Sequence, residues 1–99
     1  MSKRIKLLAG AAIIASVLTG TAAWAEITYP DGGTWDHGTG QGYTWSNYYH
    51  EDDCHGSTAV GVSTKRSPKT NPGAWSEARV ASSSFGNETY YRIERGGPC

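Results

Sequence analysis

From residue 26 to residue 99 the chain contains no leucine and no methionine. A domain built from this stretch must make its interior from something else. Its large apolar side chains are Ile27, Val60, Val62, Val80, Ile93 and ten aromatics, so Trp and Tyr have to supply the core. Their N–H and O–H edges then need partners inside it. Seventy-four residues can bury only a small core, and Tyr43, Trp45, Tyr48, Tyr49, Trp75, Tyr90 and Tyr91 cannot all point into it. Trp35, Trp45 and Trp75 are assigned to the core. The surplus is assigned to a sheet face, where exposed aromatics form recognition surfaces for sugars, peptides or lipid headgroups.

Residues 1–25 have a different character. Lys3, Arg4 and Lys6 precede an apolar run from Leu7 to Leu18, and small residues lead to Ala23-Trp24-Ala25. These are the three parts of a secretory signal, with cleavage expected after Ala25. The apolar run is shorter than the roughly 20 residues that span a bilayer, and Thr19, Gly20 and Thr21 interrupt it. The expected product is one secreted, extracellular domain over residues 26–99. Losing the three basic residues leaves six Lys and Arg against nine Asp and Glu, a net charge of −3 with His neutral. Such a domain exerts no general pull on nucleic acid or anionic lipid, so no nucleic-acid partner is expected.

Both cysteines, Cys54 and Cys99, lie in the exported part, where an even count reads as a disulfide. Closing that loop stabilises by roughly 4 kcal/mol in the chain-entropy model, comparable to what so small a core supplies. A metal-bound Cys54 and an intermolecular bridge through Cys99 are the alternatives.

Glycine, threonine and aspartate dominate residues 27–42, which read as an arm with a short strand near Thr34 to His37. Tyr43 to His50, with Tyr43, Trp45, Tyr48 and Tyr49, has the composition of a strand. The polar turn Glu51 to Gly56 follows. Ser57 to Thr64 then alternates, and a hairpin with the preceding strand is expected. Lys65 to Gly73, with Pro68 and Pro72, reads as a loop. Ala74 to Ser83 alternates again and is read as a strand in preference to a helix; Phe85 to Glu88 is a turn, and Thr89 to Glu94 a last strand. The fold class expected is all-β, a small antiparallel sandwich of two short sheets or a small barrel.

His50-Glu51-Asp52-Asp53-Cys54-His55 collects metal-ligand residue types, and His37 could join them. The spacing matches no zinc framework, and the preferred reading is a solvated acidic turn beside a disulfide, with no cofactor. A catalytic reading would use Ser46 or Ser57, one of His37, His50 and His55, and Asp36 or Asp53. No motif assembles them, and the domain is read as non-enzymatic. Lys65, Arg66 and Lys69 form the one basic cluster after residue 25, and the glycines between Gly32 and Gly42 offer backbone N–H groups; either suits phosphate.

Gly33-Thr34-Trp35-Asp36-His37-Gly38, Ser46-Asn47-Tyr48-Tyr49-His50, His55-Gly56-Ser57-Thr58-Ala59-Val60 and Pro72-Gly73-Ala74-Trp75-Ser76-Glu77-Ala78 occur in this order, followed by a Tyr-rich end. In these elements the chain resembles the lactococcin 972 family of bacteriocins. The resemblance covers nearly all of residues 26–99. It implies a secreted β-sandwich and an antibacterial action in which the cell-wall precursor lipid II is bound and septum formation blocked. Cys54 and Cys99 depart from the family pattern and suggest a stapled branch.

The candidate target-binding residues are Trp35, His37, Tyr48 and His50, as motif positions, and Lys65, Arg66 and Lys69, as partners for a pyrophosphate. The expected partner is lipid II or another envelope component of Gram-positive bacteria, with dedicated immunity or transporter proteins in the producer and a homodimer as a further option. Two other classes remain open: an extracellular module that binds a protein or glycan and kills nothing, and a metal-dependent hydrolase using His50 to His55.

Overall fold

The computed structural model describes residues 24–95 and 98–99. Of the expected signal sequence, residues 1–23 lie outside the described residues, whereas Trp24 and Ala25 stand on the first strand. The domain is all-β: β1 (Trp24–Thr28), β2 (Thr34–Gly40), β3 (Tyr43–Tyr49), β4 (His55–Val60), β5 (Thr64–Arg66), β6 (Trp75–Ala81) and β7 (Glu88–Ile93). They form two antiparallel sheets, one in the order β1-β2-β3-β6 and one in the order β5-β4-β7. The sheets face each other, with β4 packed against β3 and β6, and β7 against β3.

The glycine-rich arm is more regular than its composition suggests. β2 extends to Gly40 and pairs with β1 on one side and β3 on the other. Gln41 and Gly42 make a two-residue turn with φ of 54° and 87°, the doubly left-handed geometry whose twist matches a hairpin. Two flanking strands satisfy the backbone groups of β2, so its glycines are held by pairing and not by side-chain packing.

The stretch from Ser57 to Arg66 departs from the expected arrangement. Ser57 to Thr64 does not form a hairpin with β3: β4 lies in the other sheet, between β5 and β7. The turn at residues 50–54 therefore crosses between layers. The strand also stops at Val60 and folds back at Gly61 to Ser63, so that Thr64 to Arg66 pairs with Val60 to Thr58 as β5. A Cβ on Gly61 would overlap the carbonyl oxygen of Ala81 and lie 2.9 Å from Val80 Cγ2, so the chain can pass there only as glycine. Lys65 and Arg66, expected in a loop, stand on this short edge strand.

The interior is unusually polar. Fully or nearly fully buried are Tyr48, Ala59 and Ala78, together with Thr44, Ser46, His55, Ser57, Ser67 and Ser76. Register explains the selection. Thr44, Ser46 and Tyr48 of β3 stand opposite Val80, Ala78 and Ser76 of β6, so the even-numbered residues of both strands point inward. The small pair Ser76 and Ala78 faces β4, and Ser76 Oγ donates to the Tyr48 carbonyl at 3.0 Å and lies 3.1 Å from Ser57 Oγ, within hydrogen-bond reach. Ser46 Oγ accepts from Trp35 Nε1 at 2.9 Å and donates to the Tyr90 carbonyl at 2.8 Å, linking the two sheets.

Of the three tryptophans expected inside, only Trp35 lies between the layers. Its ring stacks on His37 at 3.6 Å and meets Tyr91 edge-on at 5.0 Å. Trp45 and Trp75 point outward, and Trp75 is 45% exposed. Alternation fixed by Tyr48 leaves these odd-numbered positions on the opposite face. Tyr48 replaces the missing aliphatic bulk, contacting Tyr91 at 4.8 Å and His55 at 5.7 Å between ring centres.

Cys54 and Cys99 are joined, their Cα atoms 5.8 Å apart. The bond ties the end of the chain to the crossover turn. Beside it the Glu94 N–H donates to the Cys54 carbonyl at 2.8 Å.

Candidate functional site

The seven candidate residues fall into two separate groups. Tyr48 and His50 are buried, and Trp35 and His37 lie half-buried along the inner face of β2. Tyr48 has no surface to offer a ligand in this conformation; its hydroxyl donates to the Pro30 carbonyl at 2.8 Å. Burial, with Asp31, Tyr91 and Asp53 nearby, pushes its phenol up to about 12. Lys65 and Arg66 are exposed on β5, and Lys69 is half-buried in the segment that follows. Of the glycines between Gly32 and Gly42, Gly38 and Gly40 are drawn out in the β2 ladder, Gly32 and Gly33 end the 3-10 turn and Gly42 makes the hairpin turn, so they stand apart along the chain's path.

The crossover turn engages the ring nitrogens it carries. His50 Nδ1 accepts from the N–H groups of Asp52 and Asp53 at 3.1 and 3.0 Å, while Nε2 donates to the Asp31 carbonyl at 2.9 Å. His55 directs Nδ1 and Nε2 at the carbonyl oxygens of Asp53 and Ala74, each at 2.7 Å. These two histidines therefore tie the turn to the 3-10 segment Pro30–Gly32 and to the start of β6. With Cys54 in the disulfide, no group of three or more His, Cys, Asp or Glu among the described residues is arranged to hold a metal. Ser46 and Ser57, the candidate nucleophiles, are buried in the inter-sheet network described above.

His37 differs from the other two. Its Nδ1 lies 3.3 Å from Thr89 Oγ1, and its buried Nε2 has no protein partner. Burial holds the ring below the usual imidazole range, against the pull of Glu26 and Asp36. It borders a cleft of about 140 Å³ between the two sheets, with Glu26, Thr39, Asn87 and Glu88.

The larger concavity is on the other side of the four-stranded sheet. A groove of about 920 Å³ runs over its outer face and is lined by Gly40, Gln41, Tyr43, Trp45, Asn47, Lys65, Glu77, Ala78 and Arg79. Cross-strand pairing builds it: Trp45 stands opposite Gly38 on one side and Arg79 on the other, and Tyr43 opposite Gly40. Glycine partners leave the space above β2 open, so Trp45 reaches over it and donates its indole N–H to Asp36 Oδ1 at 3.1 Å. The Arg79 guanidinium lies 4.4 Å over the Tyr43 ring. Farther along, Tyr49 packs on Trp75 at 5.5 Å between ring centres.

Of the sequence candidates only Lys65 lines this groove. In the sequence Tyr43 belongs to the aromatics of which a surplus is expected on a sheet face, Trp45 is assigned to the core, Asn47 stands only in a motif, and Glu77 and Arg79 only as positions of an alternating strand. Their convergence depends on the β3–β6 register, which couples residues far apart in the chain.

The sequence model of a family described as bacteriocin, lactococcin 972, matches residues 31–91. The chain belongs to that family. The match takes in β2 to β6, most of β7, the groove-lining residues and Cys54, whereas β1 and Cys99 lie beyond it. No curated protein and no solved structure matches the chain. Family membership makes it an antibacterial protein of the bacteriocin type. Among the described residues no helix is long and apolar enough to cross a membrane.

Proposed function

We propose that the protein is exported, freed of residues 1–25, and acts outside the producing cell as a non-enzymatic bacteriocin that binds lipid II of Gram-positive bacteria and so blocks septum and wall synthesis. The observation that carries this reading is the family match over residues 31–91. Two features support it. The only helical element among the described residues is the three-residue 3-10 turn, so nothing there resembles a membrane-disrupting amphipathic helix. An open groove with aromatic and cationic residues, Trp45, Tyr43, Lys65 and Arg79, suits a headgroup that combines sugar and phosphate.

The test is growth and septum morphology of sensitive Gram-positive cells exposed to the oxidised protein, with and without added lipid II. Failed septa and protection by excess lipid II are expected. Active protein that lipid II never neutralises rules out this target and leaves the antibacterial assignment intact.

A further inference from the structure

We infer that the groove on the outer face of the β1-β2-β3-β6 sheet is a saccharide subsite, with Trp45 as its platform and an N-acetylated amino sugar bearing an acidic group as its ligand. The inference deepens the envelope-target reading and rests on it for the source of the sugar.

The argument starts from Trp45. Its indole is fixed at one edge by the bond to Asp36 and lies over a strand that carries glycine at positions 38 and 40. An aromatic ring held against a sheet presents a broad face with negative π density, and the C–H groups on one side of a pyranose ring carry the complementary partial positive charge.

Around the platform the groove supplies the directional groups that sugar hydroxyls and an acetamide need. Gln41 and Asn47 offer both amide donors and acceptors, and Glu77 accepts. Asn47 and Glu77 face each other across β3 and β6, one step from the Trp45 and Arg79 pair, so stacking and hydrogen-bonding positions alternate along the groove. Arg79 over Tyr43, and Lys65 from the edge of the second sheet, place two cations at one flank. They give an acidic substituent, a carboxylate or a phosphate, a charge-assisted partner that a neutral sugar does not use. A purely apolar partner would leave these polar groups without partners, which disfavours a lipid tail in the same place.

The probes are the soluble disaccharide of N-acetylglucosamine and N-acetylmuramic acid, whose lactyl carboxylate is free, and, as a neutral comparator, N,N′-diacetylchitobiose, each titrated into the purified, oxidised protein and followed by NMR. Shifts of the Trp45 indole N–H and of the Arg79 side chain are expected on addition of the acidic saccharide, with weaker binding of N,N′-diacetylchitobiose. Trp45→Ala and Arg79→Ala are each expected to weaken the muramyl saccharide by about tenfold, and Phe85→Ala, at an exposed position outside the groove, to leave it unchanged. Because the shifts in the native protein need no substitution, a misfolded Trp45 variant does not decide the matter. Absence of binding, or binding that moves neither residue, overturns the inference, and equal affinity for N,N′-diacetylchitobiose overturns the role given to the cations. The same variants tested against lipid II separate the two proposals. Lipid II binding indifferent to both substitutions removes the groove and keeps the target; saccharide binding without lipid II binding does the reverse.

Discussion

The ring of Tyr48 occupies the place that any side chain on Gly33 would need: a Cβ there would lie 2.6 Å from both Cζ and Oη of the tyrosine and would overlap the Tyr49 carbonyl oxygen. Gly33 is thus required by close approach, because its own φ of −106° is open to any residue. Gly33→Ala is expected to destabilise the domain by about 2–3 kcal/mol, read as a lower urea midpoint at an unchanged slope. Tyr48→Phe in the same chain should not restore stability, since the Tyr49 backbone oxygen still blocks the site. Recovery in the double variant would show that the hydroxyl alone makes the approach tight.

Burial of Tyr48 also sets the alkaline limit. A phenol held at about 12 in the folded protein, against 10 when exposed, remains neutral where the unfolded chain ionises. The raised folded value contributes stability that is complete below pH 10 and is lost as pH rises from 10 through 12, a total of roughly 3 kcal/mol. Denaturant titrations across this range should show the decline in the native protein. Tyr48→Phe should be less stable at neutral pH, having lost the bond to Pro30, and its alkaline slope should be reduced. An unchanged slope would place the responsible phenol elsewhere.

The all-β class was legible because alternation and turn residues are local, and because aromatic and β-branched residues, abundant here, are enriched in strands. Layer assignment was not. Whether Ser57 to Val60 pairs with β3 or passes beneath it depends on which face buries better, and the buried face proved to be the one with His55, Ser57 and Ala59, of which Ser57 and Ala59 are small enough to let Ser76 and Ala78 approach. Judging residues by hydrophobic size placed Trp45 and Trp75 inside, yet parity with Tyr48 turns them out. The same reasoning left the groove unseen, since its floor is a cross-strand pair, Trp45 with Arg79, that no local pattern connects.

His37 predicts the behaviour on the acid side. Its folded value lies below the 6.5 of an exposed imidazole, chiefly through burial, so the unfolded chain takes up the proton first. Stability is present above pH 6.5 and falls as pH drops from there toward the lower folded value. Glu94, held below its usual range by the hydrogen bond from Arg92, adds a second and separate loss as pH falls below 4.5. Unfolding midpoints measured from pH 7.5 to pH 3 should therefore decline in two stages. His37→Gln should flatten the first, and Glu94→Gln the second; a first stage that survives the His37 substitution would assign it to another group.

The disulfide joins a tail to a turn that is already fastened. β7 is zipped to β4 from Glu88 to Ile93, Glu94 bonds to the Cys54 backbone, and Arg92 lies against Gly56 while donating to the carbonyl oxygens of Ser57 and Ser67 at 3.2 and 2.7 Å. Breaking the bond therefore removes little of the native sheet. Its main effect falls on the unfolded chain, which regains the freedom of a loop with its ends 45 residues apart. Replacing both cysteines with serine should lower the unfolding free energy by roughly 4 kcal/mol, a large share of what a domain of this size possesses. The far-ultraviolet spectrum of the molecules that remain folded should not change. Antibacterial activity at low temperature, where the double variant is still folded, should match that of the oxidised protein, because neither cysteine lines the groove. Loss of activity in a folded double variant would instead make the anchored tail part of the binding surface.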